Sequence, residues 1–244
     1  MMLMTDDIII NQDETIDEYD NLKVIQKTHG FRFSLDAVTL ANFATIKKKD
    51  KVIDLGTGNG IISLLIASKA EHITAIEIQP EMIDLAQRNV ILNGLSDKID
   101  VMEGDIRLVK ELFPPSQYDV VITNPPYRVI GSGRINPNDL KALARHEIKC
   151  TLEDVLAASF YLLKNRGRLA IVHRPDRLVE LMVGCRQHKL EPKRIQFFHV
   201  NKMEASLVLV EAIKNGKPNL EVLSPIIIDL SITDGQLKIE QRSA

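Results

Sequence analysis

KVIDLGTGNGIISLLIASKAEHITAIE, residues 51 to 77, reads as a strand, a glycine-rich turn, a helix and a second strand. KVIDL is too continuously apolar for a strand with one wet face and suits a sheet buried on both sides. GTGNG breaks it, IISLLIASKA continues as a helix, and HITAIE returns as a strand parallel to the first. The pattern then repeats outward. Pro80 opens a helix over PEMIDLAQRNVILNG, where a first turn tolerates proline, and Gly94 closes it. KIDVMEG and YDVVIT are third and fourth strands. TLEDVLAASFYLLKN is a helix capped by Thr151, with Glu153 and Asp154 in its first turn. GRLAIVH, the helix PDRLVELMVGCRQH, and the paired strands KRIQFFHV and ASLVLVEAI follow, and LSITDGQLKIE predicts a last hairpin turning at Asp234-Gly235. Such alternation predicts an α/β fold: a mostly parallel sheet with an antiparallel last strand and helices on both faces.

Ahead of the quoted stretch, NLKVIQKTHGFRF predicts a hairpin turning at His29-Gly30. Ser34 is an N-cap candidate for a helix over LDAVTLANFATI, closed by Lys47, Lys48 and Lys49. The expected organisation is a loose acidic N-terminus over 1–20, a single domain over 21–213 with a hairpin–helix lead-in, and a β tail over 214–244.

The 244 residues are long enough for a full core, and 45% hydrophobic with 26% charged residues excludes a disordered or fibrous chain. Residues 1–20 have no basic n-region, so no secretory signal is expected, and no apolar run is long enough to span a bilayer. Two cysteines, Cys150 and Cys185, are expected to be reduced thiols of a cytoplasmic protein. The net charge of −2 conceals a division: residues 1–20 carry −7 and residues 161–202 carry +7. A basic stretch is either a phosphate-binding surface or a solvated helix face.

In open α/β sheets, ligands sit beyond the carboxyl ends of the strands, where strand order switches. Four strands deliver polar groups to that rim: Asp54 with Gly56, Thr57, Gly58, Asn59 and Gly60; Glu77; Glu103-Gly104-Asp105; and Asn124. The glycine turn admits a close backbone approach and aims helix N–H groups at an anion. Its D-x-G-x-G-x-G spacing puts Ile61 where a nicotinamide fingerprint has its third glycine, and no P-loop lysine follows. A small anion such as an amino-acid carboxylate fits the turn. Glu77, where an acidic residue grips ribose hydroxyls, adds a nucleoside. Together they describe S-adenosylmethionine, with Asp105 available to the adenine amino group.

VIDLGTGNG, AIEIQPEMIDLAQRN, EGDI and DVVITNPPY, in that order, resemble the class I S-adenosylmethionine-dependent methyltransferases, from about residue 30 to about residue 210. That resemblance implies a Rossmann-like seven-stranded sheet. The Asn124-Pro125-Pro126-Tyr127 ending is similar to the branch that methylates planar amino or amide nitrogens. Such a nitrogen is a poor nucleophile, and no side chain removes its proton near neutral pH. Two fixed acceptors, the Asn124 side-chain oxygen and the Pro125 carbonyl, can instead aim its lone pair. Tyr127 offers a stacking face for a flipped base. FRFSLDAVTLANFA and ALARHE resemble further the family that N6-methylates the adenosine 3′ of the anticodon in valine tRNA. This implies cofactor contacts from Phe31, Arg32 and Asp36 beside Asp54, Gly56, Gly58, Asn59, Gly60, Glu77, Ile78, Asp105, Ile106 and Asn124. It implies RNA contacts from Arg128, Arg134, Arg145 and His146, and neither a metal nor a membrane.

Other readings stay open at this point. A release-factor glutamine methyltransferase uses the same ending but usually carries a sizeable helical domain before the glycine turn. A ribosomal-RNA guanine N2-methyltransferase often has a duplicated domain. An RNA-binding protein with a relict pocket would not need Asp54, Glu77, Asp105 and Asn124 intact. A nicotinamide oxidoreductase has no use for the ending.

Overall fold

The computed structural model describes residues 8–28, 35–125, 150–201, 204–233 and 236–243. Strands β1 (Glu14–Tyr19) and β2 (Leu22–Lys27) form a separate antiparallel hairpin. Helix α1 (Leu35–Phe43) leads to β3 (Lys51–Leu55), α2 (Ile61–Ile66), β4 (His72–Glu77), α3 (Pro80–Leu92) and β5 (Ile99–Glu103). Then come the short α4 (Val109–Leu112), β6 (Tyr118–Thr123), α5 (Leu152–Leu162), β7 (Leu163–His173), α6 (Leu178–Gln187), β8 (Leu190–Val200) and β9 (Ala205–Lys214). Two-residue β10 (Glu221–Val222), β11 (Ile226–Thr233) and β12 (Gln236–Ser243) complete the described chain.

The main sheet runs β12-β11-β8-β9-β7-β6-β3-β4-β5, with β10 also on β8. The seven expected strands run from β8 to the β5 edge. β9 inserts antiparallel between β7 and β8 and supplies the antiparallel finish. The sheet nevertheless exceeds seven, because the tail joins it: β11 pairs in parallel with β8 and β12 folds back on β11. Residues 234 and 235, the expected turn, lie outside the described residues.

Side-chain alternation builds both layers. Val52, Val120, Ile122, Ala170 and Val172 face a core shared with α1 and α2. Ile53, Leu55, Val121, Leu169 and Ile171 face the opposite core with α5 and α6. The interior positions of these strands are dry on both faces, which is why KVIDL and YDVVIT read as largely apolar runs.

Caps act largely as expected. Thr151 and Asp154 form a reciprocal capping box on α5. After α3, Gly94 at φ 64 donates to the Ile91 carbonyl and Leu95 to the Val90 carbonyl, a left-handed C-terminal closure. Two expectations fail. The first hairpin turns at Asp20-Asn21, at φ 47 and φ 65, so residues 14–19 are a strand rather than part of a loose terminus. Paired left-handed residues match strand twist in a two-residue turn, and Asp and Asn tolerate that region best after glycine. His29-Gly30 and Ser34 lie outside the described residues. Helix α1 ends at Phe43 with no basic residue in its last turn. The cations on its terminal carbonyls come from afar: Lys69 donates to Ala41 and Arg194 to Phe43.

Candidate active site

Register brings the polar strand ends level. Leu55 pairs with Ile76, so Gly56 stands beside Glu77, which itself pairs with Glu103. Asp54 pairs with Ile122, so the same row continues across β6 to Asn124. This row crosses the point where the sheet order reverses around β3.

The turn after β3 is wired from three sides. Gly56, Gly58 and Gly60 have φ of 73, 58 and 85, a region that side chains resist. The N–H groups of Gly56 and Thr57 donate to the Ile76 carbonyl, each at 3.0 Å. The Glu77 carboxylate accepts from Gly58 N at 2.9 Å on one oxygen, and from Ile78 N at 2.9 Å and Gln79 N at 3.1 Å on the other. A carboxylate offers about four acceptor positions, so about one remains for a ligand hydroxyl. From below, Asn89 Nδ2 donates to the Asn59 carbonyl at 2.9 Å.

Asp54 is fully buried. One oxygen accepts from Thr57 Oγ1 at 2.6 Å and Ser63 Oγ at 2.9 Å, while Oδ1 has no hydrogen-bond partner. Burial pushes its carboxyl up to about 6; the two hydroxyls oppose that rise and the Glu77 charge adds to it. Asn59 Nδ2 is a second buried polar atom without a partner. An unpaired acceptor and an unpaired donor beside one glycine turn have the signs that the ammonium and carboxylate of an amino-acid ligand would satisfy.

Next to the turn lies a small cavity lined by Gly56, Glu77, Ile78, Gly104, Asp105, Ile106 and Cys150. Two isoleucines give it apolar walls and two carboxylates give it acceptors. The Asp105 carboxylate is held by the Arg107 guanidinium and caps its own short 3-10 turn; Arg107 keeps its titration below the ordinary range. Cys150 enters from the start of α5, with its thiol pushed up to about 12, chiefly by burial. Nothing in the sequence pattern marks Cys150 as a wall. At the end of β6, Thr123 Oγ1 donates to the Leu55 carbonyl at 2.9 Å, tying that strand end to β3. Asn124 follows half-buried and Pro125 buried. Asp36 is half-buried in the first turn of α1. Phe31, Arg32, Pro126, Tyr127, Arg128, Arg134, Arg145 and His146 lie outside the described residues.

Six cations of the basic stretch are ion-paired. Lys164 pairs with Asp119, Arg168 with Asp50, Arg174 with Asp176, Arg177 with Glu180, Arg186 with Glu191 and Arg194 with Glu211. Asp176, Glu180 and Glu191 already count in the net +7, so only Asp50, Asp119 and Glu211 reduce it, to +4, and the stretch stays basic.

A parallel sheet with this order, a glycine turn at the switch point and an acidic second strand end define the class I S-adenosylmethionine-dependent methyltransferases. Residues 32–182 match the family model of the methyltransferase small domain, and the chain belongs to that family. Curated relatives called tRNA1(Val) (adenine(37)-N6)-methyltransferase share 31% identity. The one from Porphyromonas gingivalis aligns over 59% of this chain and 57% of its own length, that from Dyadobacter fermentans over 65% of each. The chain thus spans about three-fifths of the relatives it matches. Among solved structures, a predicted O-methyltransferase of Agrobacterium tumefaciens superposes with a TM-score of 0.61 at 25% identity, covering 79% of this chain and 87% of that one. TYW2 of M. jannaschii in complex with AdoMet gives 0.58 at 18% identity, covering 83% and 86%, a likeness of fold alone. No described helix is long and apolar enough to cross a membrane.

Proposed function

We propose that this protein methylates N6 of an adenine in RNA, and that the base is the adenosine 3′ of the anticodon in valine tRNA. The observation that carries the reading is the register row: Asn124 stands level with Gly56 and Glu77 across the switch point. S-adenosylmethionine, when bound, supplies a methyl group activated on a sulfonium sulfur. In this reading Asp54, Gly56, Gly58, Asn59 and Gly60 hold its amino-acid end. Glu77 and Ile78 hold the ribose, Asp105 and Ile106 border the adenine, and Phe31, Arg32 and Asp36 close over it.

The chain's own contribution to transfer is orientation. The Asn124 side-chain oxygen and the Pro125 carbonyl accept the two N–H groups of the exocyclic amine. The nitrogen lone pair is then fixed on a line to the reacting carbon without a general base. Pro126 stiffens the backbone that aims those acceptors, and Tyr127 stacks on the extruded base. An anticodon loop suits such a site, because its unpaired bases splay out at low cost. A tRNA substrate and free cysteines fit a cytoplasmic enzyme.

The names of the curated relatives support the substrate, and the test is direct. Mass spectrometry of tRNA nucleosides from cells with and without the gene should show the loss of one N6-methyladenosine. Unchanged tRNA with a missing methylglutamine in a release factor would replace this reading with the protein-directed one.

A further inference from the structure

The N-terminal hairpin touches α3 through an arrangement that the methyltransferase reaction does not by itself require. Asn89, fully buried, accepts from Ile25 N at 2.6 Å and donates to the Ile25 carbonyl at 3.0 Å. One helical turn on, Asn93 accepts from Lys23 N at 3.0 Å and donates to the Lys23 carbonyl at 2.7 Å. Four helical residues rise about 6.0 Å and two strand residues about 6.8 Å, so amides spaced by four meet alternate residues of β2. Helix α3 thereby stands in as an edge strand for the hairpin. One residue before Asn89, Arg88 grips the buried Glu14 carboxylate of β1 with both terminal guanidinium nitrogens, each at 2.8 Å.

Asn89 and Asn93 differ in where the second amide hydrogen goes. Asn93 gives it to the Asn89 backbone carbonyl at 2.8 Å, whereas that of Asn89 reaches the Asn59 carbonyl in the glycine turn. That turn also rests on α3 through Gly60, where an added Cβ would lie 3.3 Å from Ala86 Cβ. The amide has a single orientation that satisfies its neighbours: oxygen toward the Ile25 N–H, nitrogen toward two carbonyls. A loop that must keep three left-handed glycines in place is thus secured from below by the residue that secures the hairpin.

We propose that Asn89 is a positioning residue for cofactor binding, and that docking of the β1–β2 hairpin sets the affinity of the glycine turn through it. Helix α3 transmits the state of the hairpin to the turn along one buried amide. The inference rests on the cofactor assignment, and wild-type binding of S-adenosylhomocysteine checks that assignment separately.

The test compares Asn89→Ala with Asn93→Ala in the full chain, measuring S-adenosylhomocysteine affinity by titration calorimetry beside thermal stability. Both variants lose an amide that pairs with β2, so both should melt earlier. Only Asn89→Ala should also weaken the ligand, raising Kd by about ten-fold over Asn93→Ala, as expected for an unpaired buried carbonyl in the turn. A Kd ratio below about three-fold between the two variants would overturn the proposal, and a ratio above it would sustain it. Should Asn89→Ala not fold, Asn89→Ser is measured against the same threshold.

Discussion

The two halves of the rim are built on opposite principles. After β3 the backbone bends through three left-handed glycines, and bonds from Glu77, Ile76 and Asn89 hold it on three sides. After β6 the backbone leaves the sheet past the tie from Thr123 to Leu55 and reaches an asparagine and a proline. The first half spends its polar groups on its own shape and offers a ligand the few atoms left over. The second keeps its backbone stiff by ring closure and directs its polar groups outward in the proposed reaction. Holding a ligand and aiming a nucleophile are separable tasks, and the difference predicts that they fail separately.

The largest break should come at Asn124. Asn124→Ala is expected to lower kcat by about 10²–10³-fold, the scale on which loss of one polar transition-state contact acts. Its Kd for S-adenosylmethionine should stay within about three-fold of wild type. Near wild-type turnover in that variant would end the division between the halves. Glu77→Ala should do the reverse. It removes the acceptor of three backbone N–H groups and the proposed ribose partner, so Kd should rise about 10–100-fold while kcat at saturation changes far less. An unaltered titration would mean that the ligand lies elsewhere.

The pH dependence of stability separates the same region from the hairpin. Burial raises Asp54 from an ordinary 3.8 to about 6, so between those values the folded chain keeps a proton that the unfolded chain has released. Asp54 thus makes stability fall as pH rises from about 4 to about 6. Urea midpoints for Asp54→Asn should lack that slope. Glu14 works the other way: Arg88 holds its carboxyl well below the ordinary 4.5, so its stabilisation is full above that value and fades in acid. Glu14→Gln should cost stability at pH 7 and converge on wild type at low pH. The smallest effect is expected from the basic stretch. Arg174→Ala and Arg186→Ala remove locally paired arginines and should leave RNA affinity within about two-fold; a larger loss would add a third surface to the comparison.

Some of this was legible in the chain and some was not. The glycine turn, Glu77 and Asn124 stand out because each interrupts an apolar strand at its end, and contiguous patterns survive reading in one dimension. The first hairpin was also signalled, by Asp20-Asn21, but His29-Gly30 gave the more familiar turn pair. Asn89 carried a fainter mark: an amide four residues after Leu85 and three after Ala86, on the buried stripe of its helix. The partial offset of the basic stretch could not be read, since Asp50, Asp119 and Glu211 arrive from distant parts of the chain.

The sequence by itself determined the strand–helix alternation, the both-faces-buried character of the sheet and the chemical types at the strand ends. These follow from hydrophobic period and from glycine and proline stereochemistry, which act over a few residues. Only the tertiary structure decided which ends stand level, which carboxylate is buried with one oxygen unmet, and which charges meet. Register, burial and ion pairing are sums over neighbours distant in the chain, and no local pattern encodes a sum of that kind.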